Sequence, residues 1–166
     1  KKLHSFKTQL GSTSQTKNVN SANPSQQQVN TLLEHYQHGR FADAEKLALL
    51  ITKEFPKHPF AWKLLGALLK QAGRMSESFV ASQKAVQLAP KDSQAHYNLG
   101  ITLKELGRLE EAEASYNQAI ALRSDHAASH NNLGNTLKEL GRLEEAEASY
   151  VQAIALKPDY IEAHNN

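Results

Sequence analysis

Between Ser93 and Asn166 the apolar residues return at intervals of three and four. Ala95, Leu99, Leu103 and Leu106 form one stripe, then Leu109, Ala112, Tyr116, Ala119 and Ile120 form another. That spacing predicts two amphipathic helices, each burying one face. Gly107-Arg108 separates them, and the same dipeptide stands at Gly39-Arg40, Gly73-Arg74 and Gly141-Arg142. A glycine there supplies the left-handed conformation that ends a helix. Pro56, Pro90 and Pro158 close three of the predicted helix pairs, and Asp92, Asp125 and Asp159 are candidate N-caps for the helices that follow.

The pattern has a fixed period. LKELGRLEEAEASY occupies residues 103–116 and again 137–150, 34 residues apart. On that period the chain divides into units at 25–58, 59–92, 93–126 and 127–160, with 161–166 opening a fifth. The last two complete units agree at 25 of 34 positions. One helix pair cannot bury its own apolar face, but stacked pairs can, so the predicted fold class is an all-α solenoid of antiparallel helix pairs. Small residues (Gly100 with Ala112, Gly134 with Ala146) are expected to bring the two helices of a pair together, and the larger groups to fill the space to the next pair. Glu110, Glu111 and Glu113 begin a helix, where the helix dipole favours negative charge, and read as structural.

These positions resemble the tetratricopeptide repeat over residues 25–166. That family places a large residue at repeat position 4, then Leu at 7, Gly or Ala at 8, an apolar residue at 11, Ala at 20, an aromatic at 24, Ala at 27 and Pro at 32. The fourth unit matches with His130, Leu133, Gly134, Leu137, Ala146, Tyr150, Ala153 and Pro158; the first, with Thr31, Leu32, His35 and Ala48 at positions 7, 8, 11 and 24, departs most. The resemblance implies a right-handed superhelix whose first helices line a concave groove through positions 2, 5, 6, 9, 12 and 13. Carried onto this chain, that groove holds Asn30, Asn98 and Asn132 in one band, Lys70, Lys104 and Lys138 in a second, and Lys63, Tyr97, Ile101, Asn131 and Asn135 among the rest.

An asparagine amide both donates and accepts, so a row of them suits the backbone of an extended peptide. Such a row resembles the repeat domains of O-linked N-acetylglucosamine transferases and their bacterial relatives, which implies a second reading: the substrate-recognition arm of a larger transferase, glycosyltransferase- or sulfotransferase-type, with its catalytic domain elsewhere. A plainer reading stands beside both, in which the asparagines only solvate a scaffold. The carboxylate clamp of chaperone-binding relatives is incomplete, since Lys63 and Asn98 fit but Ala67, Ala128 and Asn132 do not.

Composition narrows the function further. Residues 1–24 carry Lys1, Lys2, Lys7 and Lys17 and no acid, while the other residues hold 15 basic and 17 acidic side chains, a net −2. The repeats lack the basic stripe of a nucleic-acid binder. Residues 11–28 are mostly Ser, Thr, Asn and Gln and read as a linker. Leu3, Phe6 and Leu10 before it form a short apolar stripe, either a frayed tail or a short helix over 2–10 that docks on a neighbour.

There is no cysteine, and neither a signal peptide nor a membrane span is predicted, which makes a cytoplasmic location the expectation. Seven of the eight glycines hold repeat positions, leaving none for a phosphate loop. His96, His130 and His164 recur at position 4 and are expected to pack at helix interfaces. His126 with His130, and His35 with His38, have metal-like spacing but no third ligand. The expectation is therefore a protein- or peptide-binding scaffold with no catalytic residue, metal or cofactor of its own. The sequence opens without methionine and stops at IEAHNN, which suggests a segment of a longer protein whose uncapped last repeat self-associates end to end.

Overall fold

The computed structural model describes residues 23–158, which form eight α-helices. They run α1 (Gln26–Gln37), α2 (Phe41–Glu54), α3 (Pro59–Gln71), α4 (Met75–Leu88), α5 (Ser93–Glu105), α6 (Leu109–Leu122), α7 (Ala127–Glu139) and α8 (Leu143–Leu156). Each odd helix packs on the even helix that follows it, and each even helix on the next odd one, so the pairs stack in chain order. Among the described residues there is no strand, and no helix is long and apolar enough to cross a membrane. The predicted stripe at residues 2–10 and the opening of the fifth unit lie outside the described residues.

Local chemistry sets the ends of the helices. Gly39, Gly73, Gly107 and Gly141 have φ of 71, 75, 72 and 78°, the left-handed region a side chain resists. At Gly73 its own N–H donates to the Lys70 carbonyl at 2.9 Å and the Arg74 N–H reaches back to Leu69 at 2.9 Å. That double closure satisfies the last carbonyls of α3 and turns the chain sharply into α4. Ser25 caps α1 through a reciprocal bond with Gln28, and Asp92 caps α5 by accepting from the N–H groups of Gln94 and Ala95.

Asp125 does not behave as Asp92 does. The cap residue of α7 is His126, whose side chain takes no backbone N–H of the helix, while Asp125 is exposed beside Arg123 at 3.7 Å. The reason is register, because Asp92 ends its unit whereas Asp125 stands one residue earlier in its own. Asp159 lies outside the described residues.

The approach within each pair also differs from expectation. A Cβ on Gly100 would fall 2.6 Å from the Tyr116 ring, and one on Gly134 2.5 Å from Tyr150. The glycine at position 8 is therefore a seat for the aromatic at position 24 of its own pair, and that ring does not serve only the next pair. At position 4 the half-exposed rings tie down the preceding turn instead of only filling an interface. Trp62 Nε1 donates to the Pro56 carbonyl at 2.9 Å, and the Nε2 atoms of His96 and His130 lie 2.9 and 3.1 Å from the carbonyls of Pro90 and Ser124. Outside the groove, Arg142 joins Glu145 of its own helix to Glu113 of the previous pair at 2.7 Å, and Arg74 does the same with Glu77 and Glu45. Glu113 thus serves neighbour docking, not the helix dipole. Arg108 has Phe79 where those acids stand, and its guanidinium stacks 4.3 Å from that ring.

Candidate functional site

The odd helices stand side by side, and between α3 and α5 lies a cavity of about 560 Å³ closed at one side by Tyr36 of α1. Five residues picked out from the sequence meet there: Lys63 and Lys70 from α3, and Tyr97, Asn98 and Ile101 from α5. Leu64, Ala67, Gln71 and Gln94 complete the wall. Gln71 and Gln94 hold groove positions of the repeat, so position was the signal for them, although their type is not distinctive.

The polar groups are partly committed to one another. Lys63 Nζ pairs with the Asp92 carboxylate at 2.5 Å, and Lys104 with Glu139 at 2.8 Å. Asn98 Oδ1 accepts from Gln94 at 3.0 Å, and Asn132 Nδ2 donates to the Tyr97 hydroxyl at 3.1 Å. Asn135 accepts from the Tyr150 hydroxyl at 2.8 Å, while Asn30 accepts from Gln26 at 2.9 Å on the exposed start of α1. Lys138 is exposed and already engaged. Asn131 is buried, only 4% exposed, and does not offer its amide to the groove as expected. Lys63 and Tyr97 hold the same repeat position and line the cavity.

Tyr97 is the pivot between units. Its ring meets His126 edge-on at 4.8 Å and Tyr116 at 6.1 Å. Burial pushes its hydroxyl pKa up, opposed by the Asn132 bond. Burial also lowers the pKa of His126, whose Nδ1 sits 2.6 Å from Ser129 Oγ. Together with the bond from His130 to Ser124, this leaves both histidines occupied as turn fasteners.

Asp92 links the groove to the fold. Burial raises its pKa, but the Lys63 ammonium and the α5 N–H groups outweigh burial and hold the carboxyl below its usual range. A depressed carboxylate stabilises above its unfolded pKa, and that contribution is lost as pH falls through the folded value. Asp92→Asn keeps a capping side chain but loses the charge. Its melting temperature is expected to lie below wild type at neutral pH and to converge on it as pH falls through and below the carboxylate range, which thermal melts across pH check.

A family model described as Tetratricopeptide repeat matches residues 58–125 and 92–159. The chain belongs to the tetratricopeptide-repeat family. No curated protein matches the sequence. Among solved structures, MamA superposes with a TM-score of 0.74 at 24% identity, over 79% of this chain and 77% of that one. YrrB, described as a TPR protein with an unusual peptide-binding site, gives 0.76 at 20% identity over 83% and 71%. The first TPR of Spaghetti (RPAP3), bound to the HSP90 peptide SRMEEVD, gives 0.63 at 24% identity over 64% and 85%. These likenesses establish the tetratricopeptide solenoid for this chain.

Proposed function

We propose that this tetratricopeptide solenoid is a protein-binding scaffold whose concave groove holds an extended segment of a partner. The observation that carries the proposal is the hydrogen-bonding left over in the asparagine band. Asn98 gives its Oδ1 to Gln94 and retains its Nδ2 donors, whereas Asn132 gives an Nδ2 proton to Tyr97 and retains its Oδ1 acceptor. A donor on one repeat and an acceptor on the next match the alternating carbonyls and N–H groups of an extended backbone. Two of the solved relatives are described by their peptide-binding site or bound peptide, which is in keeping with this reading. The transferase reading draws no such support.

Each such bond contributes about 0.5–1.5 kcal/mol net, so removing both is expected to weaken capture by about tenfold. The test compares the wild-type chain with an Asn98→Ala, Asn132→Ala variant on one array of extended peptides, with circular dichroism to confirm that both are folded. Equal capture by the two would remove the asparagines from the mechanism.

A further inference from the structure

Lys70 is a cation of the groove with no carboxylate in ion-pair contact among the described residues. Asp92 neutralises Lys63 and Glu139 neutralises Lys104, but Lys70 forms no ion pair among the described residues. It lines the cavity between α3 and α5 and is half-buried there. Burial lowers its pKa, and Glu105, acting through space without an ion pair, only partly opposes this. A half-buried ammonium whose nearest acid stands beyond ion-pair distance is only partly compensated for its burial. Asn98, whose Nδ2 is unused, lines the same cavity.

The apolar part of the wall carries a second sign. Tyr150 donates its hydroxyl to Asn135, but one unit earlier Ile101 stands at the position of Asn135, and the Tyr116 hydroxyl is buried with no partner. The chain thus keeps an apolar side chain facing the cavity where an asparagine is the residue its own repeat uses to satisfy the tyrosine. Tyr36, Leu64 and Ala67 extend that apolar surface.

Resting on the groove reading above, we infer that the cavity between α3 and α5 is a subsite for an aspartate or glutamate side chain of the partner segment, held by Lys70 and the Asn98 amide, with an apolar neighbour of that residue against Ile101 and Leu64. One ammonium and one amide suit a carboxylate. The serving cation is Lys70, because Lys63 is already neutralised. Asn132, bonded to Tyr97 of the cavity wall, stands one repeat further on, so a segment that reaches both asparagines places the acid at an internal residue.

The test uses fluorescein-labelled, C-terminally amidated dodecapeptide pools, randomised over Ala, Leu, Tyr, Asn and Ser around a fixed central pair. The fixed pairs are Glu-Leu, Gln-Leu, Lys-Leu and Glu-Ser, and fluorescence anisotropy reads binding. Wild type is expected to bind the Glu-Leu pool about tenfold tighter than the Gln-Leu pool, and tighter than the Glu-Ser pool. Lys70→Gln is expected to lose the preference for glutamate while keeping its binding of the Gln-Leu pool. Lys70→Glu is expected to shift the preference to the Lys-Leu pool. Circular dichroism melts confirm that the variants are folded. Equal binding of the Glu-Leu and Gln-Leu pools by wild type would overturn the subsite and leave the groove reading standing. A free-terminus Gln-Leu pool that binds as tightly as the amidated Glu-Leu pool would overturn the side-chain assignment in favour of a terminal carboxylate. Binding of no pool at all would overturn both the subsite and the groove.

Discussion

Replacing Tyr116 by alanine is expected to destabilise the chain by about 3–5 kcal/mol, the range for deleting a buried aromatic ring. The Tyr116 ring is wholly buried, sits over Gly100, and belongs to one cluster with Leu103, Leu133, Leu137 and Tyr150. Gly100 has no side chain with which to fill the space, so the cavity cannot collapse cheaply. Tyr116→Phe separates the ring from its hydroxyl. That hydroxyl is buried without a partner, and burial pushes its pKa up, with Tyr97, Glu105 and Glu139 adding to the shift. Losing an unsatisfied group is expected to leave stability unchanged or raise it, whereas Tyr150→Phe breaks the bond to Asn135 and is expected to cost about 1 kcal/mol. Urea unfolding of the three variants measures all of this, and a larger loss for Tyr116→Phe than for Tyr150→Phe would contradict it.

The damage from Tyr116→Ala should also be local. The buried apolar residues fall into two clusters, one spanning α1 to α4 and the other centred on α5 to α8. Between them lies a polar seam, in which Ser78 Oγ donates to the Gly66 carbonyl at 2.8 Å and lies 3.1 Å from Thr102 Oγ1. Stability in a repeat array is close to a sum of repeat and neighbour terms. Amides of α5 to α8 are therefore expected to exchange faster in Tyr116→Ala, while those of α3 keep wild-type rates.

The repeat period, the helix spacing and the turn glycines were legible because each is a one-dimensional signal with a one-residue cause. That Lys63, Lys70, Tyr97, Asn98 and Ile101 share one face, where they line one cavity, was legible for the same reason, since a family pattern maps position onto face. What the sequence concealed depends on a partner far along the chain or on a shift of one residue. Lys63 meets an acid 29 residues away, and Asn132 meets Tyr97 35 residues away, so neither loss of availability shows locally. Asn131 has the type and the position of a groove residue, yet it is buried. Asp125 has the right type for a cap at the wrong register.

One substitution at one repeat position is expected to be tolerated at Gly66 and harmful at Gly100. Alanine is favoured over glycine within a helix by about 1 kcal/mol. At Gly66 the new Cβ would lie 2.6 Å from Ser82 Oγ, a short side chain with no hydrogen bond to lose, and 3.3 Å from the Ser82 nitrogen. The hydroxyl can turn away, so Gly66→Ala is expected to change stability by less than about 1 kcal/mol. At Gly100 the Cβ would lie 2.6, 2.8 and 3.0 Å from three atoms of the Tyr116 ring. That ring is wholly enclosed and cannot swing aside, so α5 and α6 must part, and a net loss of about 2 kcal/mol is expected. A double-mutant cycle with Tyr116→Ser isolates the cause by giving unit three the serine of unit two. In that background Gly100→Ala is expected to turn neutral or stabilising. If it remained as harmful there as in wild type, its effect would come from the α5 backbone and not from the ring that the glycine seats.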